Sequence, residues 1–241
     1  MRLISPKRLF TNNWKDELWL VAGGIFGGSL YFFTENTALG ITQASNVSFI
    51  ICTAPLLTTI LSLLFYKSEK ASKGLIYGSL LALMGVGLIV FNGSFVLKIS
   101  PIGDLLTLLA ALSWAFYSLI IKKMAGRYPT VFITRKIFFY GVLTILPAFL
   151  LHPLQPDTAV LLQPAVLFNL LFLAVLASLI CYVLWNLVLK QLGTVRASNY
   201  IYLNPLVTMI ASFLILDEKI TLVALGGAAC IVCGVYWAEK K

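Results

Sequence analysis

Charge and histidine are scarce in this chain of 241 residues. Only 11% of the residues are charged and one is a histidine, whereas about a quarter of the residues in a typical soluble domain are charged. The histidine, His152, lies beside Pro153 in a polar stretch, so a metal cluster or triad based on histidines is not expected. Walker A, GxSxG and HExxH patterns do not occur in the sequence. These absences favour a protein that is not an enzyme and has no cofactor.

Apolar residues, in contrast, are abundant. They make up 60% of the chain, the mean hydropathy is +0.94, and uncharged runs recur along the whole length, which is typical of many membrane spans. The net charge of +9 comes from short basic clusters between these runs. That placement indicates membrane topology and not a nucleic-acid partner. The four cysteines fall inside the apolar runs, so we expect buried packing residues and not a redox pair.

Eight segments are long enough to cross a bilayer, at roughly twenty residues each. They are 18–39, 44–66, 73–92, 101–121, 131–151, 165–190, 196–216 and 220–238. Each must be helical, because hydrocarbon offers no partner for free backbone groups. The sequence therefore predicts an all-α polytopic membrane protein with eight transmembrane helices, preceded by a cytoplasmic segment at residues 1–17.

The basic residues predict the orientation. With the N-terminus inside, sixteen Lys and Arg lie on the cytoplasmic side and two, Lys98 and Lys219, lie outside. We expect both termini in the cytoplasm, the 152–164 loop outside, and the plasma (inner) membrane as the location. The N-terminal segment is too polar for a signal peptide, so no cleaved leader is expected.

An internal repeat is visible in the sequence. Residues 36–64 align without a gap on 186–214, and the shift of 150 pairs Asn36 with Asn186 and Pro55 with Pro205. After one deletion, further pairs follow: Glu69 with Glu218, Gly78 with Gly227 and Gly85 with Gly234. Because the copies start five helices apart, they are inverted, as in many secondary transporters. The domains predicted are a three-helix repeat, 18–92, and a five-helix repeat, 101–238. Counterparts of two helices would fall before residue 1, so we expect them to be absent.

The chain resembles the EamA-type branch of the drug/metabolite transporter superfamily. The resemblance depends on NTALGITQASNVSFIICTAPLLTTILSLL, on the second-copy RASNYIYLNPLVTMIASFLILDEK with its following Gly-x6-Gly, and on SPIGDLLTLLAALSWAFYSLIIKK at 100–123. It covers essentially the whole chain from Trp19 onward. Members of that family have ten helices in two inverted five-helix repeats, so the resemblance implies a transporter whose first two helices have no counterpart here.

Polar and aromatic side chains within the predicted spans are the candidates for substrate binding. They are Glu35, Asn36, Trp114, Tyr117, Trp185, Asn186, Asn199, Tyr202 and Asn204. Amides with aromatic walls would suit an uncharged or zwitterionic organic molecule. The alternative is that the amides only cross-link helices. Pro55 and Pro205 lie at matching positions within spans, where each permits a kink, and are candidate hinges.

Glu35 is the one acidic residue well inside a predicted span. It either points into a cavity beside Asn36, where it could carry a proton, or reaches toward the outer headgroups. The glycines of AGGIFGGS form a surface for close helix approach, within the bundle or in a homodimer.

The function predicted from the sequence is secondary transport of a small organic metabolite by alternating access, in the direction of export. Two alternatives stay open: a truncated remnant that does not transport, and a membrane scaffold or receptor subunit. The partners expected are that metabolite and the lipid bilayer.

Overall fold

The computed structural model describes residues 10–11, 13–66, 72–91, 100–151, 158–216 and 220–240, and these residues form helices and no strand. The α-helices are α1 Trp14–Gly24, α2 Leu30–Ile41, α3 Ala44–Ile51, α4 Ala54–Phe65, α5 Lys73–Phe91, α6 Pro101–Ala125, α7 Thr130–Leu151, α8 Thr158–Leu161, α9 Pro164–Leu171, α10 Cys181–Leu192, α11 Thr194–Asn199, α12 Asn204–Leu216 and α13 Leu222–Glu239. π-Helical stretches, Ile25–Ser29 and Phe172–Ile180, join α1 to α2 and α9 to α10, and a 3-10 stretch, Tyr200–Leu203, joins α11 to α12.

Six helical stretches among the described residues are long and apolar enough to cross a membrane. They are Asn46–Phe65, Lys73–Phe91, Pro101–Ala125, Thr130–Ala148, Pro164–Leu192 and Leu222–Glu239. The chain is therefore an all-helical, multi-pass membrane protein. Membrane crossing by the segments predicted at 18–39 and 196–216 stays a prediction. Both segments are helical in the structure.

The candidate hinge prolines both follow a break in a helix. Pro55 lies in the first turn of α4, after the turn at Cys52 and Thr53 that ends α3. Pro205 lies in the first turn of α12, after the 3-10 stretch. Proline fits a first turn because the backbone N–H that it lacks has no helical partner there. The two prolines thus begin new helices at matching points of the two sequence copies.

Four glycines bring α5 and α13 into backbone contact. A Cβ added at Gly78 would lie 2.5 Å from the Gly234 carbonyl oxygen, and one at Gly234 would lie 2.6 Å from the Gly78 oxygen. Gly85 and Gly227 meet in the same reciprocal way, at 2.5 and 2.7 Å. The earlier glycine of α5 contacts the later glycine of α13, and the later one contacts the earlier one, so the two helices are antiparallel. The sequence alignment pairs Gly78 with Gly227 and Gly85 with Gly234, so the predicted inverted repeat would exchange these two contacts.

The glycine-rich stretch of the first segment packs inside the bundle. A Cβ at Gly24 would lie 2.6 Å from the Tyr140 Cβ, and one at Gly27 would lie 2.2 Å from the Tyr117 ring. The π-helical turn there also changes the backbone hydrogen bonding. The Ser113 hydroxyl donates to the Phe26 carbonyl at 2.8 Å, and other helices thereby engage this backbone. These glycines therefore allow close packing of helices within the bundle.

An ion pair anchors the start of α1 to the connection between α6 and α7. Arg127 donates to Asp16 at 2.6 Å and the Tyr128 hydroxyl donates to the other carboxylate oxygen at 2.9 Å. Asp16 is buried, whereas the Arg127 side chain is 54% exposed. The exposed partner makes this pair a modest contributor to stability.

A second ion pair, between Glu17 and Lys136, is buried on both sides. The Lys136 ammonium and the Tyr140 hydroxyl both donate to the same oxygen of Glu17, and Thr11 donates to the other oxygen at 2.7 and 3.0 Å. Burial alone would raise the pKa of Glu17, but the hydrogen bonds from Lys136, Tyr140 and Thr11 outweigh it and lower the pKa to about 2. Glu17 precedes the first predicted span, so this cluster fixes α1 against α7 at one end of the bundle.

The side chains of Pro164–Leu192 are mostly exposed, and in a membrane protein such a surface faces lipid or another apolar partner. Cys52 is buried, but Cys181 and Cys233 are exposed. The expectation that the cysteines are buried packing residues is therefore wrong for these two. Thiols are compatible with an apolar surface, so composition alone does not separate core from lipid-facing positions.

Candidate functional site

A cavity of about 250 Å³ lies where helices from both sequence copies meet. Its lining residues are Tyr31 from α2, Ile51 from α3, Ala54 from α4, Ala111 and Trp114 from α6, Trp185 from α10, Tyr200 and Ile201 from the 3-10 stretch, and Asn204 from α12. Spacing explains part of this set, because Ala111 and Trp114 are three residues apart and share one face of α6. Most of the wall is aromatic or aliphatic.

Trp114 is the centre of the aromatic wall. Its ring centroid lies 5.1 Å from that of Tyr31, 5.2 Å from Tyr117, and 5.8 Å from both Tyr182 and Trp185. Such distances are typical of favourable contacts between aromatic side chains. The indole Nε1 atoms of Trp114 and Trp185 are buried and have no hydrogen-bond partner. Two unsatisfied donors therefore belong to side chains that line the cavity.

Glu35 adjoins the cavity through Tyr31. The Tyr31 hydroxyl donates to Glu35 Oε1 at 3.0 Å, and the two residues share a face of α2 because they are four positions apart. Glu35 is half-buried. The ion pairs found in the described part of the chain join Asp16 to Arg127 and Glu17 to Lys136. Neither provides a counter-charge for Glu35.

A buried polar chain supports the cavity from behind. The Tyr117 hydroxyl donates to Asn186 Oδ1 at 2.7 Å, and Asn186 Nδ2 donates to the Thr134 hydroxyl at 2.9 Å. Tyr182 donates to the Gly27 carbonyl at 2.7 Å. These bonds join α10 to α6, to α7 and to the π-helical turn. They hold Trp114 and Trp185, which neighbour these residues on α6 and α10, in fixed positions.

A second cavity, of about 280 Å³, lies further along α4 and α10, with α5, α11 and α13 completing its lining. Ala54 of α4 lines the aromatic cavity, whereas Thr59 and Leu63 line the second one. Five residues of helix correspond to a separation of roughly 8 Å. Charged groups of Arg196, Glu239 and Lys240 are among the lining of the second cavity, so it is far more polar than the first.

Fully buried polar groups lie at the level between the two cavities. Thr58 of α4 is 0% exposed, as is Asn199 of α11, and neither side chain has a hydrogen-bond partner. Buried polar groups are nearly always paired. If the two cavities joined, water or a polar ligand could form hydrogen bonds with the Thr58 and Asn199 side chains.

Comparison with known proteins decides the family. The profile of the EamA-like transporter family matches residues 2–91 and 101–238. This chain belongs to the EamA-like transporter family.

Several relatives of this EamA-like chain carry functional descriptions. An uncharacterized transporter of Archaeoglobus fulgidus is 30% identical, with 94% of this chain and 77% of the relative covered. A probable amino-acid metabolite efflux pump of Salmonella typhimurium is 29% identical over 71% of this chain and 60% of its own length. A solved crystal structure has a TM-score of 0.78 at 19% identity and covers 95% of this chain and 77% of its own. That likeness shows a shared fold.

The EamA-like chain brings together only part of the predicted site. Trp114, Trp185 and Asn204 line the aromatic cavity, and Glu35 reaches it through Tyr31. Tyr117 and Asn186 lie behind the wall, in the buried polar chain.

The remaining predicted residues lie elsewhere. Asn36 is exposed and lies outside the cavity lining, because the position after Glu35 is rotated by about 100° around the helix. Asn199 at the end of α11 and Tyr202 within the 3-10 stretch are fully buried and do not line the cavity. Sequence reasoning missed Tyr31, whose signal was its spacing of four residues from Glu35.

Proposed function

We propose that this EamA-like chain is a secondary transporter that exports a small organic metabolite by alternating access. The observation that carries the proposal is the aromatic cavity, because α2, α3 and α4 of the first sequence copy enclose it together with α6, α10 and α12 of the second. Substrate sites of transporters with inverted repeats lie at such an interface between the halves.

Three further observations support the mechanism. The second cavity and the unpaired, buried Thr58 and Asn199 would extend the aromatic cavity into a polar route if the two cavities joined during transport. The breaks before Pro55 and Pro205 give each half a point at which the chain direction can change. The two glycine contacts between α5 and α13 would exchange under the proposed inverted repeat. This arrangement fits two inverted halves that move against each other.

Direction and orientation rest on other grounds. Relatives described as probable amino-acid metabolite efflux pumps support export. The excess of basic residues at one end supports a plasma-membrane protein with both termini in the cytoplasm.

The test is export from cells. The chain is expressed in a bacterial host beside Trp114→Ala and Trp237→Ala, and solutes in the medium are compared by mass spectrometry. Trp114 lines the cavity, whereas Trp237 is 48% exposed on α13, so both changes remove an indole but only one alters the site. We expect at least one organic solute to accumulate in the medium with the wild type and Trp237→Ala and not with Trp114→Ala. The wild type and the two variants must be present in the membrane at equal levels. Media that are identical for these strains and for cells without the chain would contradict transport.

A further inference from the structure

The groups that line and adjoin the aromatic cavity differ from those that the sequence predicts. Amide side chains in the spans favoured an uncharged or zwitterionic substrate. In the structure, Asn186 is committed to Tyr117 and Thr134, Asn36 is exposed, and Asn204 alone of the predicted amides lines the cavity. The polarity of the site therefore depends on other groups.

A carboxylate adjoins this cavity. Glu35 is hydrogen bonded to Tyr31, which lines the cavity, and the lining itself contains no Lys, Arg or His. A carboxylate inside a membrane protein without a cationic partner is costly. A positively charged ligand would supply the missing counter-charge, whereas an anionic ligand would add like charge at the same place.

The aromatic side chains that line the cavity also favour a cation. Tyr31, Trp114, Trp185 and Tyr200 form much of the lining, and the faces of such rings attract cations, most strongly when water is excluded. The unpaired indole N–H groups of Trp114 and Trp185 add a second requirement, because each would be satisfied by an acceptor such as a carbonyl oxygen. The volume of about 250 Å³ lies just below the range of roughly 300–1,000 Å³ usual for drug-sized ligands, so the ligand is small.

We propose that the cavity binds a small organic cation, a protonated amine that also carries a carbonyl-type acceptor and an apolar body, with Glu35 as its counter-charge and Tyr31, Trp114 and Trp185 as its aromatic wall. This inference rests on the proposed transport function, because it names the class of substrate for that same site.

The test compares three probes of nearly the same shape on the purified full chain, by isothermal titration calorimetry in nanodiscs. Phenylalaninamide has an amine cation and a carbonyl, hydrocinnamamide lacks the amine, and hydrocinnamate carries a negative charge instead. We expect phenylalaninamide to bind about tenfold or more tightly than hydrocinnamamide, and hydrocinnamate to bind more weakly still. This comparison needs only the wild type, so it is independent of how any variant folds.

Variants then assign the preference to residues. Glu35→Gln keeps an acceptor for Tyr31, so it should bring the affinities of the two amides to within about twofold while leaving that of hydrocinnamamide unchanged. Trp114→Leu should weaken both amides. The matched control is Asp104→Asn, which removes a carboxylate that is bonded to Ser100 and Thr42 and lies outside the cavity lining. It should leave the wild-type ratio intact.

Each outcome decides the proposal. Absence of saturable binding of phenylalaninamide, equal or tighter binding of either other probe, or an unchanged ratio in a folded Glu35→Gln protein would overturn it. Export of any solute in the cell assay separates the two proposals. If cells export a solute but the amine preference is absent, the substrate class is wrong and transport stands. If the preference is present without export, the binding site stands and the transport function is wrong.

Discussion

Substitution of Gly85 by alanine gives the sharpest test of the α5–α13 crossing. A Cβ at this position would lie 2.5 Å from the carbonyl oxygen of Gly227, 2.8 Å from the Ile231 nitrogen and 2.9 Å from the Cys230 Cβ. A carbon normally lies no closer than about 3.3 Å to a carbonyl oxygen, so the helices must separate by about 0.8 Å. The first two neighbours are backbone atoms, which cannot rotate away as a side chain would.

The expected loss of stability follows from that separation. A radial gap of about 0.5–1 Å forfeits roughly a quarter to a half of each dispersion contact, and overpacking in cores costs about 1–3 kcal/mol. Because backbone opposes backbone here, we expect a value near 3 kcal/mol for Gly85→Ala. At about 2–4 °C per kcal/mol for a chain of this size, the melting temperature should fall by roughly 6–12 °C.

The assay is thermal unfolding of the purified chain in a mild detergent, followed by tryptophan fluorescence. The control is Gly226→Ala, where an added Cβ meets no atom within 4 Å and where alanine improves helix propensity by about 1 kcal/mol. It should melt at or above the wild-type temperature. Gly234→Ala should behave like Gly85→Ala, because its Cβ would lie 2.6 Å from the Gly78 oxygen and the sequence alignment pairs the two positions. Equal melting temperatures for Gly85→Ala and Gly226→Ala would refute the close crossing.

Three further predictions concern the ends of the bundle. Lys136→Met leaves Glu17 buried without its cation and should lower the free energy of unfolding by about 3–5 kcal/mol. Adding Glu17→Gln should recover a large part of that loss in a double-mutant cycle measured by thermal unfolding. Additive losses of stability would show that the two residues are not coupled. Because the pKa of Glu17 is lowered to about 2 from 4.5, its contribution should be fully present above pH 4.5 and disappear as the pH falls toward 2, so the wild type should lose more stability than Glu17→Gln over that interval; parallel pH profiles would contradict this. Gln155 lies outside the described residues, and a cysteine placed there should react with an impermeant maleimide in intact cells if the termini are cytoplasmic; reaction only after lysis would reverse the orientation.

Much of the fold could be predicted from apolar segment length alone. The segment predicted at 44–66 is helical over Ala44–Ile51 and Ala54–Phe65, and the segment predicted at 73–92 is Lys73–Phe91. Such segments are recognisable because hydrocarbon requires about twenty apolar residues in a row. The sequence does not show how each helix is rotated about its own axis, because a span that faces lipid is apolar on every side. Asn36 illustrates this limit: its position along α2 was clear from the sequence, but its exposure was not.

Long-range pairing was the other feature that the sequence could not supply. Lys136 is one of the basic residues that predict the topology, but in the structure it pairs with Glu17 across 119 positions of sequence. Likewise, the sequence predicts Asn186 as a substrate ligand, but in the structure Tyr117 and Thr134 are bonded to its amide. Residue type identifies which groups need a partner in the membrane. Only the packing of the helices decides whether that partner is another residue or a ligand.

The two sequence copies carry different residues at matching positions beside the aromatic cavity. The shift of 150 that aligns Asn36 with Asn186 also aligns Glu35 with Trp185. Trp185 lines the cavity directly, and Glu35 reaches it through the Tyr31 hydroxyl. Matching positions in two inverted copies would approach one interface from opposite sides, so the proposed inversion would bring the Trp185 indole into the cavity wall and the Glu35 carboxylate behind Tyr31 at the same cavity. A strictly symmetric pair would provide two carboxylates that repel each other or two indoles without a counter-charge. A carboxylate opposed by an indole can hold a single cation between an anion and a ring face.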